Sequence, residues 1–449
     1  MTNDAPSSTT RPAPVTFWGA FHFWLKLGFI SFGGPAGQIA IMHTELVERR
    51  RWISEKRFLH ALNYCMLLPG PEAQQLATYI GWLMHRTWGG IVAGALFVLP
   101  SLFILGALSW VYVAFGQAPV VVGIFYGIKP AVTALVVHAA HRIGTRALKN
   151  GWLWGIAAAS FVAIFALEAP FPLIVLVAAL IGHVGGRMAP QIFVVGGGHG
   201  TTQHTHGPAL IDDDTPTPAH ARFARSHLVK VLMIGLSLWA GAMALLLFTH
   251  GVDGTLTQMG WFFTKAALLT FGGAYAVLPY VYQGAVEHYH WLTGPQMIDG
   301  LALGETTPGP LIMVVAFVGF VGAWTQQVLG PDALMLAGAV AASVVTFFTF
   351  LPSFIFILAG GPLIESTHGQ LKFTAPLTAI TAAVVGVILN LAMFFAYHVL
   401  WPQGLSGRFD GVSALMALGA AVALFRFKLG VMPLLGLCAI LGLAITWLR

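Results

Sequence analysis

Glycine and proline interrupt four apolar stretches of this sequence, and interruptions of this kind can form an anion-binding site. A broken helix leaves backbone N–H groups unpaired at the start of its second half, where the positive end of the helix dipole also lies. Glycine lets a ligand approach the backbone, and proline removes an intrahelical hydrogen bond. The predicted anion-binding residues of these breaks are Gly33, Gly34, Pro35, Pro69, Gly70, Pro71, Gly272, Gly273, Pro308, Gly309 and Pro310. The alternative is that these residues only allow helices to pack closely.

Three lysines in apolar surroundings could add positive charge to such a site. Lys26 and Lys265 each lie six residues before a Phe-Gly-Gly break. A lysine inside a membrane is costly and is usually functional, whereas snorkelling to the interface is the alternative. We therefore predict that both contact the anion, with Gln38 as a neutral donor. Lys129, beside Pro130 in an apolar run, is a further cationic candidate.

Two carboxylates flank equivalent breaks. Glu72 directly follows one break, and Glu305 shortly precedes the other. Each could carry a proton if burial favours its neutral form, and each could instead form an ion pair with a lysine. The sequence contains no nucleotide-binding loop, catalytic triad or zinc motif, so we predict no enzyme activity, metal or cofactor. Energy for transport would then come from an ion gradient or the membrane potential.

The elements that carry these residues occur twice. Shifting the sequence by 239 positions aligns residues 23–71 with 262–310 without a gap, and 12 of the 49 pairs are identical. A duplicated apolar chain with matching breaks in both halves is typical of secondary transporters.

Composition predicts an all-α polytopic membrane protein. Charged residues make up 8% of the chain and hydrophobic residues 57%, whereas a soluble domain has about 25% charged residues. The net charge of +6 therefore reports membrane topology rather than nucleic-acid binding. Apolar runs of roughly spanning length lie at 90–115, 119–140, 152–167, 171–187, 229–249, 333–358, 373–397, 412–425 and 431–448. The broken stretches are 17–42, 58–84, 260–283 and 297–324.

Basic residues predict which side of the membrane is cytoplasmic. They cluster as Arg49, Arg50, Arg51, Lys56 and Arg57, as Arg142, Arg146 and Lys149, as Arg187, Arg222, Arg225 and Lys230, and as Arg426 and Lys428. All clusters reach the cytoplasm if 17–42 and 58–84 are re-entrant hairpins; kinked spanning helices are the alternative. The span at 229–249 then inverts the second half, whose loop 284–296 lacks Lys and Arg. We therefore predict inverted-topology repeats with broken helices near the membrane midplane.

The predicted organisation has five segments. They are a disordered tail (1–16), an N-terminal repeat (17–187), a cytoplasmic linker rich in His, Gly and Pro (188–227), a connecting transmembrane helix (228–250) and a C-terminal repeat (251–449). No signal peptide is expected. His199, His204 and His206 raise the question of a metal, but they lack a rigid ligand spacing, so a flexible linker is predicted.

The motifs around the breaks resemble those of the chromate ion transporter family. The first copy is carried by Phe32-Gly33-Gly34-Pro35, Gln38, Trp52 and Leu68-Pro69-Gly70-Pro71. The second copy is carried by Thr270-Phe271-Gly272-Gly273-Ala274-Tyr275, Leu278-Pro279 and Thr307-Pro308-Gly309-Pro310. With both copies, the chain resembles the long, two-domain members. Ala274 stands where the first copy has Pro35, so the first break is the stronger candidate for the substrate loop.

The resemblance implies a transporter in the bacterial inner membrane that exports chromate and so gives chromate resistance. Sulfate would be a structural analogue and competitor, membrane potential or a proton gradient would drive export, and a homodimer is left open. The alternatives are a transporter or channel for another anion such as sulfate, and a membrane enzyme that reduces chromate. The lack of flavin, haem and iron–sulfur motifs argues against the enzyme.

Overall fold

The computed structural model describes residues 11–32, 34–193, 207–216, 218–271, 273–366 and 374–448. These residues form helices joined by short loops, which confirms the all-α prediction. The helices of the first half are α1 (Phe17–Ile30), α2 (Gly34–His43), α3 (Glu55–Cys65), α4 (Glu72–Phe115), α5 (Pro119–Ala147), α6 (Gly151–Ala166), α7 (Phe171–Met188) and α8 (Pro190–Phe193). The helices of the second half are α9 (Arg225–His250), α10 (Thr255–Leu268), α11 (Ala274–Tyr282), α12 (Gly294–Thr306), α13 (Val314–Thr325), α14 (Leu334–Ser366), α15 (Thr374–Leu400), α16 (Gly411–Phe425) and α17 (Val431–Leu448).

Seven of the described helices are long and apolar enough to cross a membrane: α4, α5, α7, α9, α14, α15 and α17. The remaining predicted runs fall on α6 and α16, which have 16 and 15 residues. Many large apolar side chains on these helices are exposed, as expected where a helix faces lipid. The chain is therefore a multi-pass membrane protein.

Local features recur 239 positions apart, so the duplication in the sequence is also a duplication of structure. The π-helical turn Thr44–Arg49 recurs as Gln283–His288. Two residues after each turn, a non-glycine residue has a positive φ: 52° at Arg51 and 53° at His290. Positive φ is uncommon for such residues, so its recurrence at equivalent positions reflects a shared backbone path.

The long helix α4 is interrupted at His85 and Arg86, where the chain reverses direction. His85 has φ −133° and ψ 32°, and Arg86 has φ 57° and ψ −158°, both outside helical geometry. The helical arms before and after this point pack closely, since a Cβ built on Gly81 would lie 2.5 Å from the carbonyl oxygen of Gly89. Residues 72–84 are therefore the second arm of a hairpin that begins with α3, and the long helix proper starts after the reversal.

Both ends of this first hairpin lie against the central linker. At its start, the N–H of Leu210 donates to the carbonyl of Arg51, at 2.8 Å. At its end, a ring nitrogen of His220 lies 3.1 Å from the carbonyl oxygen of Trp82. The chain from α3 to residue 84 thus returns to the face of the protein from which it starts.

The other broken stretch of the first half also starts and ends at this face. A ring nitrogen of His85 lies 2.9 Å from the carbonyl oxygen of Val15, just before α1. The far end of α2 continues through its π-helical turn into the loop at Arg51, which binds the linker. The two broken stretches are therefore a pair of hairpins with a common base.

Residues 207–216 of the linker make specific contacts with the first hairpin and the loop before it. Ile211 forms a parallel β-bridge with Ile53, and the guanidinium of Arg57 donates to the carbonyl oxygen of Thr215 at 2.6 Å. The histidines considered for a metal lie outside the described residues: His199, His204 and His206. Within the described ranges, no group of three or more His, Cys, Asp or Glu side chains could hold a metal ion.

The second half repeats the hairpin with α12 and α13. The end of α13 lies against the loop before α12, since the amide of Gln326 donates to the carbonyl oxygen of His290 at 3.5 Å. Gly330, with φ 87°, then turns the chain into α14. The connection from α13 to α14 therefore corresponds to the reversal inside α4.

Candidate functional site

The four breaks meet in two pairs, and each pair joins one half of the chain to the other. The N–H of Gly70 donates to the carbonyl oxygen of Thr270 at 2.7 Å, and the N–H of Gly309 donates to that of Ser31 at 2.8 Å. Gly70 and Gly309 are equivalent at an offset of 239, as are Ser31 and Thr270. Because buried backbone groups need partners, each half supplies the acceptor that a break in the other half requires.

Each of these two glycines also packs against a serine on a long helix of the opposite half. Gly70 has φ 129° and Gly309 has φ 102°, in the region that favours glycine. A Cβ added to Gly70 would collide with Oγ of Ser353, and one added to Gly309 would lie 2.8 Å from Cβ of Ser101. The two serines end the repeated Leu-Pro-Ser segments of α14 and α4. The pairing of the breaks is thus fixed by backbone conformation and by close packing.

Three helices begin at the breaks. The first residue of α2 is Gly34, with φ 68°, and Pro35 follows where its missing N–H breaks no helical bond. Pro71 is the N-cap of α4, and Gly273, with φ 99°, is the N-cap of α11. The first N–H groups of each helix lack intrahelical partners, and the helix dipole is positive there. Together these helix starts could hold an anion.

The remaining predicted break residues are placed as follows. Pro310 is the N-cap of the short 3₁₀ turn Leu311–Met313, and Pro308 lies in the turn that follows α12. The carbonyl oxygen of Pro69 accepts from the amide of Gln75 at 2.8 Å. Gly33 and Gly272 lie outside the described residues.

Glu72 brings a carboxyl group to the centre of the breaks. It is the first residue of α4, its side chain is buried, and its Oε2 has no hydrogen-bond partner. A methyl group built on Gly273 would lie 3.5 Å from its Oε1, so the carboxyl group lies beside the N-cap of α11. The described residues offer Glu72 no ion-pair partner, so the alternative in which it pairs with a lysine is not observed among them.

Glu305, in the last turn of α12, has a different environment. It is buried, and it accepts a hydrogen bond from the phenol of Tyr275 on α11. Glu305 is therefore partnered by a neutral group of the same half and, like Glu72, is not paired with a lysine among the described residues.

Gln38 and Gln75 bind the breaks, because the side-chain amide of each donates hydrogen bonds to carbonyl oxygens there. Nε2 of Gln38 donates to the carbonyl oxygens of Gly309 at 2.5 Å and Ser31 at 3.4 Å, so this side chain spans one of the two break pairs. Buried polar oxygens without partners remain nearby: Oε1 of Gln38, Oε1 of Gln74, Oε1 of Gln75 and Oγ of Ser101. Buried polar atoms usually find a partner, so this cluster of unpartnered atoms marks the breaks as a polar centre inside an apolar protein.

The lysines predicted to contact the anion lie on outward faces of their helices. α1 buries Phe23 and Leu27, and Lys26 between them is exposed. Lys265 is half-buried, with Nζ 6.0 Å from the ring centre of Trp261. Contact of these two lysines with the anion therefore stays a prediction.

Lys129 lines a cavity of about 580 Å³ at the face opposite the linker. Its Nζ lies 3.2 Å from Oδ1 of Asp299, whose Oδ2 accepts from the phenol of Tyr112 at 2.9 Å. Lys129 thus forms an ion pair with Asp299, a carboxylate that the sequence reasoning overlooked. The signal was available, because Asp299 is an acidic residue inside the apolar stretch 297–324.

A second charged cluster lies near the linker. A guanidinium nitrogen of Arg57 is 3.6 Å from Oε2 of Glu365, and both side chains are largely buried. Tyr79 donates a hydrogen bond to the same carboxylate. Glu365 belongs to α14, and the other two residues belong to the first hairpin, so this cluster ties the two halves together at the face opposite the cavity.

Comparison with protein families identifies relatives over nearly the whole chain. The model of a family described as "Chromate transporter" matches residues 18–183 and 257–443, in two segments that correspond to the two halves. A chromate transport protein of Pseudomonas aeruginosa is 32% identical over 409 residues, which cover 88% of this chain and 86% of that protein. A chromate transport protein of Cupriavidus metallidurans is 29% identical over 436 residues, covering 95% and 94%.

A shorter relative matches only part of the chain. An uncharacterized transporter of Bacillus subtilis is 29% identical over 133 residues, which cover 29% of this chain and 68% of that protein. No solved structure matches the chain at a significant level.

Proposed function

The chain belongs to the chromate transporter family, a family of transporters and not of enzymes, and we propose that it exports chromate from the cytoplasm across the bacterial inner membrane. The names of the two long relatives support the substrate. The observation that carries the proposal is the pairing of four helix breaks across the two halves. Export by such a protein would give chromate resistance.

The proposed binding site is the polar centre formed by the breaks. Chromate is a tetrahedral dianion near neutral pH and offers four acceptor oxygens. The helix starts at Gly34, Glu72 and Ala274 offer backbone donors and positive dipole ends. A site of this kind recognises an oxyanion through backbone groups, so Lys26 and Lys265 are not needed as ligands.

We propose that the two halves have inverted topology, with the broken stretches as re-entrant hairpins. The common base of the first-half hairpins at the linker supports this arrangement. The single helix α9 between the halves also supports it, because one crossing places the second half in the opposite orientation. Backbone outside regular helices is tolerated at membrane depth when it is buried in protein. Inverted halves around one central site are the geometry of alternating access in secondary transporters.

Membrane potential alone is strong enough to drive export. Moving one elementary charge is worth about 2.3 kcal/mol per 100 mV, so a dianion leaving a negative-inside cell gains about 4.6 kcal/mol per 100 mV. A proton gradient could also contribute, because Glu72 and Glu305 lie near the breaks and could carry protons. The alternative function is transport of another oxyanion such as sulfate, which has the same shape and charge.

Chromate uptake into everted membrane vesicles tests the proposal. We expect uptake that depends on the protein, saturates and is reduced by sulfate, and that falls when the membrane potential is collapsed. Vesicles from cells without the protein are the control. Absence of protein-dependent uptake, with membrane insertion verified, would refute chromate export, and currents that do not saturate would identify a channel instead.

A further inference from the structure

We propose that the Glu72 carboxylate is an internal anion that occupies part of the substrate site, so that chromate binds only after a proton has neutralised it. This inference rests on the proposed function and specifies how the site is controlled. It makes proton uptake a part of anion binding at the breaks.

The position of Glu72 is the first argument. Glu72 is the first residue of α4, so its carboxylate and its backbone N–H both lie at the positive end of that helix. That N–H is one of the donors that an external anion would use. An ionised Glu72 therefore already places a negative charge where the substrate would bind.

The surroundings of Glu72 are the second argument. Oε2 is buried and has no hydrogen-bond partner among the described residues, and a Cβ built on Gly273, the N-cap of α11, would lie 3.5 Å from Oε1. The titratable side chain that interacts electrostatically with Glu72 is the Cys65 thiol of α3, and no ion pair to Glu72 exists among the described residues. Among the described residues no cation is paired with Glu72, so a dianion bound beside the ionised carboxylate would face an uncompensated like charge.

The asymmetry between the halves is the third argument. The residue equivalent to Glu72 in the second half is Leu311, so only one of the two paired breaks carries such a carboxylate. The other buried carboxyl group near the breaks, Glu305, has Tyr275 as a partner. Glu72 is thus the group whose charge changes the site most directly.

The test compares chromate binding to the purified full-length protein and to Glu72→Gln across a series of pH values. The ratio of the two dissociation constants at each pH cancels the titration of chromate itself. We expect wild-type binding to weaken relative to Glu72→Gln by about tenfold per pH unit once Glu72 is ionised. In weakly buffered solution with a pH dye, wild-type protein is expected to take up one more proton per bound anion than Glu72→Gln.

Two further variants keep the result interpretable. Glu72→Leu copies Leu311 of the second half, so it provides a neutral site if Glu72→Gln folds poorly. Asp332→Asn removes an exposed carboxylate between α13 and α14 and is expected to behave as wild type.

The outcomes separate this inference from the proposed function. A constant ratio at all pH values, with chromate bound by both proteins, overturns the role of Glu72 and leaves chromate transport intact. The role of Glu72 is also overturned if Glu305→Gln, rather than Glu72→Gln, removes the pH dependence of chromate binding. Failure of every folded variant, including wild type, to bind chromate refutes the proposed function itself.

Discussion

Substitution of Gly309 by alanine tests whether the paired breaks hold the two halves together. Gly309 has φ 102°, and its N–H donates to the carbonyl of Ser31 in the other half. An added Cβ would lie 2.8 Å from Cβ of Ser101 and 3.5 Å from the carbonyl oxygen of Phe97, both on α4. The new methyl group therefore meets a strained backbone conformation and a helix that it cannot easily displace.

The expected cost follows from these two effects. Holding a non-glycine residue in a sparsely populated region of φ and ψ costs about 1–3 kcal/mol. Overpacking by one methyl group costs about 1–3 kcal/mol more. Gly309→Ala should therefore destabilise the paired breaks by about 2–6 kcal/mol, and Gly70→Ala should have a similar effect because a Cβ there would collide with Ser353.

The matched control is Gly106→Ala, within the long helix that carries Ser101. Among the described residues, no atom outside its own helix lies within 4 Å of a Cβ built there, and alanine is favoured over glycine inside a helix by about 1 kcal/mol. Thermal unfolding of the purified protein and chromate uptake into vesicles would be measured for each variant. We expect Gly309→Ala to lower both and Gly106→Ala to lower neither.

The reasoning would be refuted if Gly309→Ala unfolded at the wild-type temperature and transported at the wild-type rate. Replacing Ser101 by glycine in the same protein removes the collision but not the backbone strain. Partial recovery in this double variant is therefore expected, and full recovery would show that packing alone accounts for the effect.

Three further predictions concern other parts of the protein. Arg57→Gln leaves Glu365 buried without its cation and should destabilise the protein by about 3–5 kcal/mol. Adding Glu365→Gln should recover part of this loss in thermal unfolding. Equal stability of the single and double variants would contradict the ion pair. Lys26→Ala should keep wild-type chromate uptake, because this side chain is exposed. A strong loss of uptake would show that Lys26 belongs to the site. Burial lowers the pKa of His220 below the ordinary pKa of a histidine. Its packing on Trp82 is therefore stable at pH values above the ordinary pKa and weakens as the pH falls through that pKa. Hydrogen exchange in the linker should rise on acidification in wild type and not in His220→Gln.

The helical class and the duplication could be read from the sequence because both depend on local patterns. Apolar runs set the helices, and the offset of 239 placed equivalent residues such as Arg51 and His290 in the same backbone conformation. The reversal at His85 and Arg86 could not be predicted, because neither glycine nor proline marks it. The arms on either side of it pack closely through Gly81 and Gly89.

The sequence identified the helix breaks but not the connections between them. Glycine and proline identified the breaks, yet the bond from Gly309 to Ser31 joins residues far apart in the chain, which no local pattern encodes. Charge was the weakest guide. Lys26 and Lys265 recur at equivalent positions, but Lys26 is exposed and Lys265 is half-buried. The ion pair of Lys129 depends on Asp299, and the equivalent position of the first half has no acidic residue.

The exchange of hydrogen bonds between the breaks makes the two halves mutually dependent. A chain with one half alone would have a Gly70 N–H or a Gly309 N–H without its acceptor, unless a second chain supplied it. A half-length chain with the same breaks would therefore need a second chain to supply the acceptors. In this chain the two copies are covalently joined and can differ in sequence, as Glu72 and Leu311 do at equivalent positions.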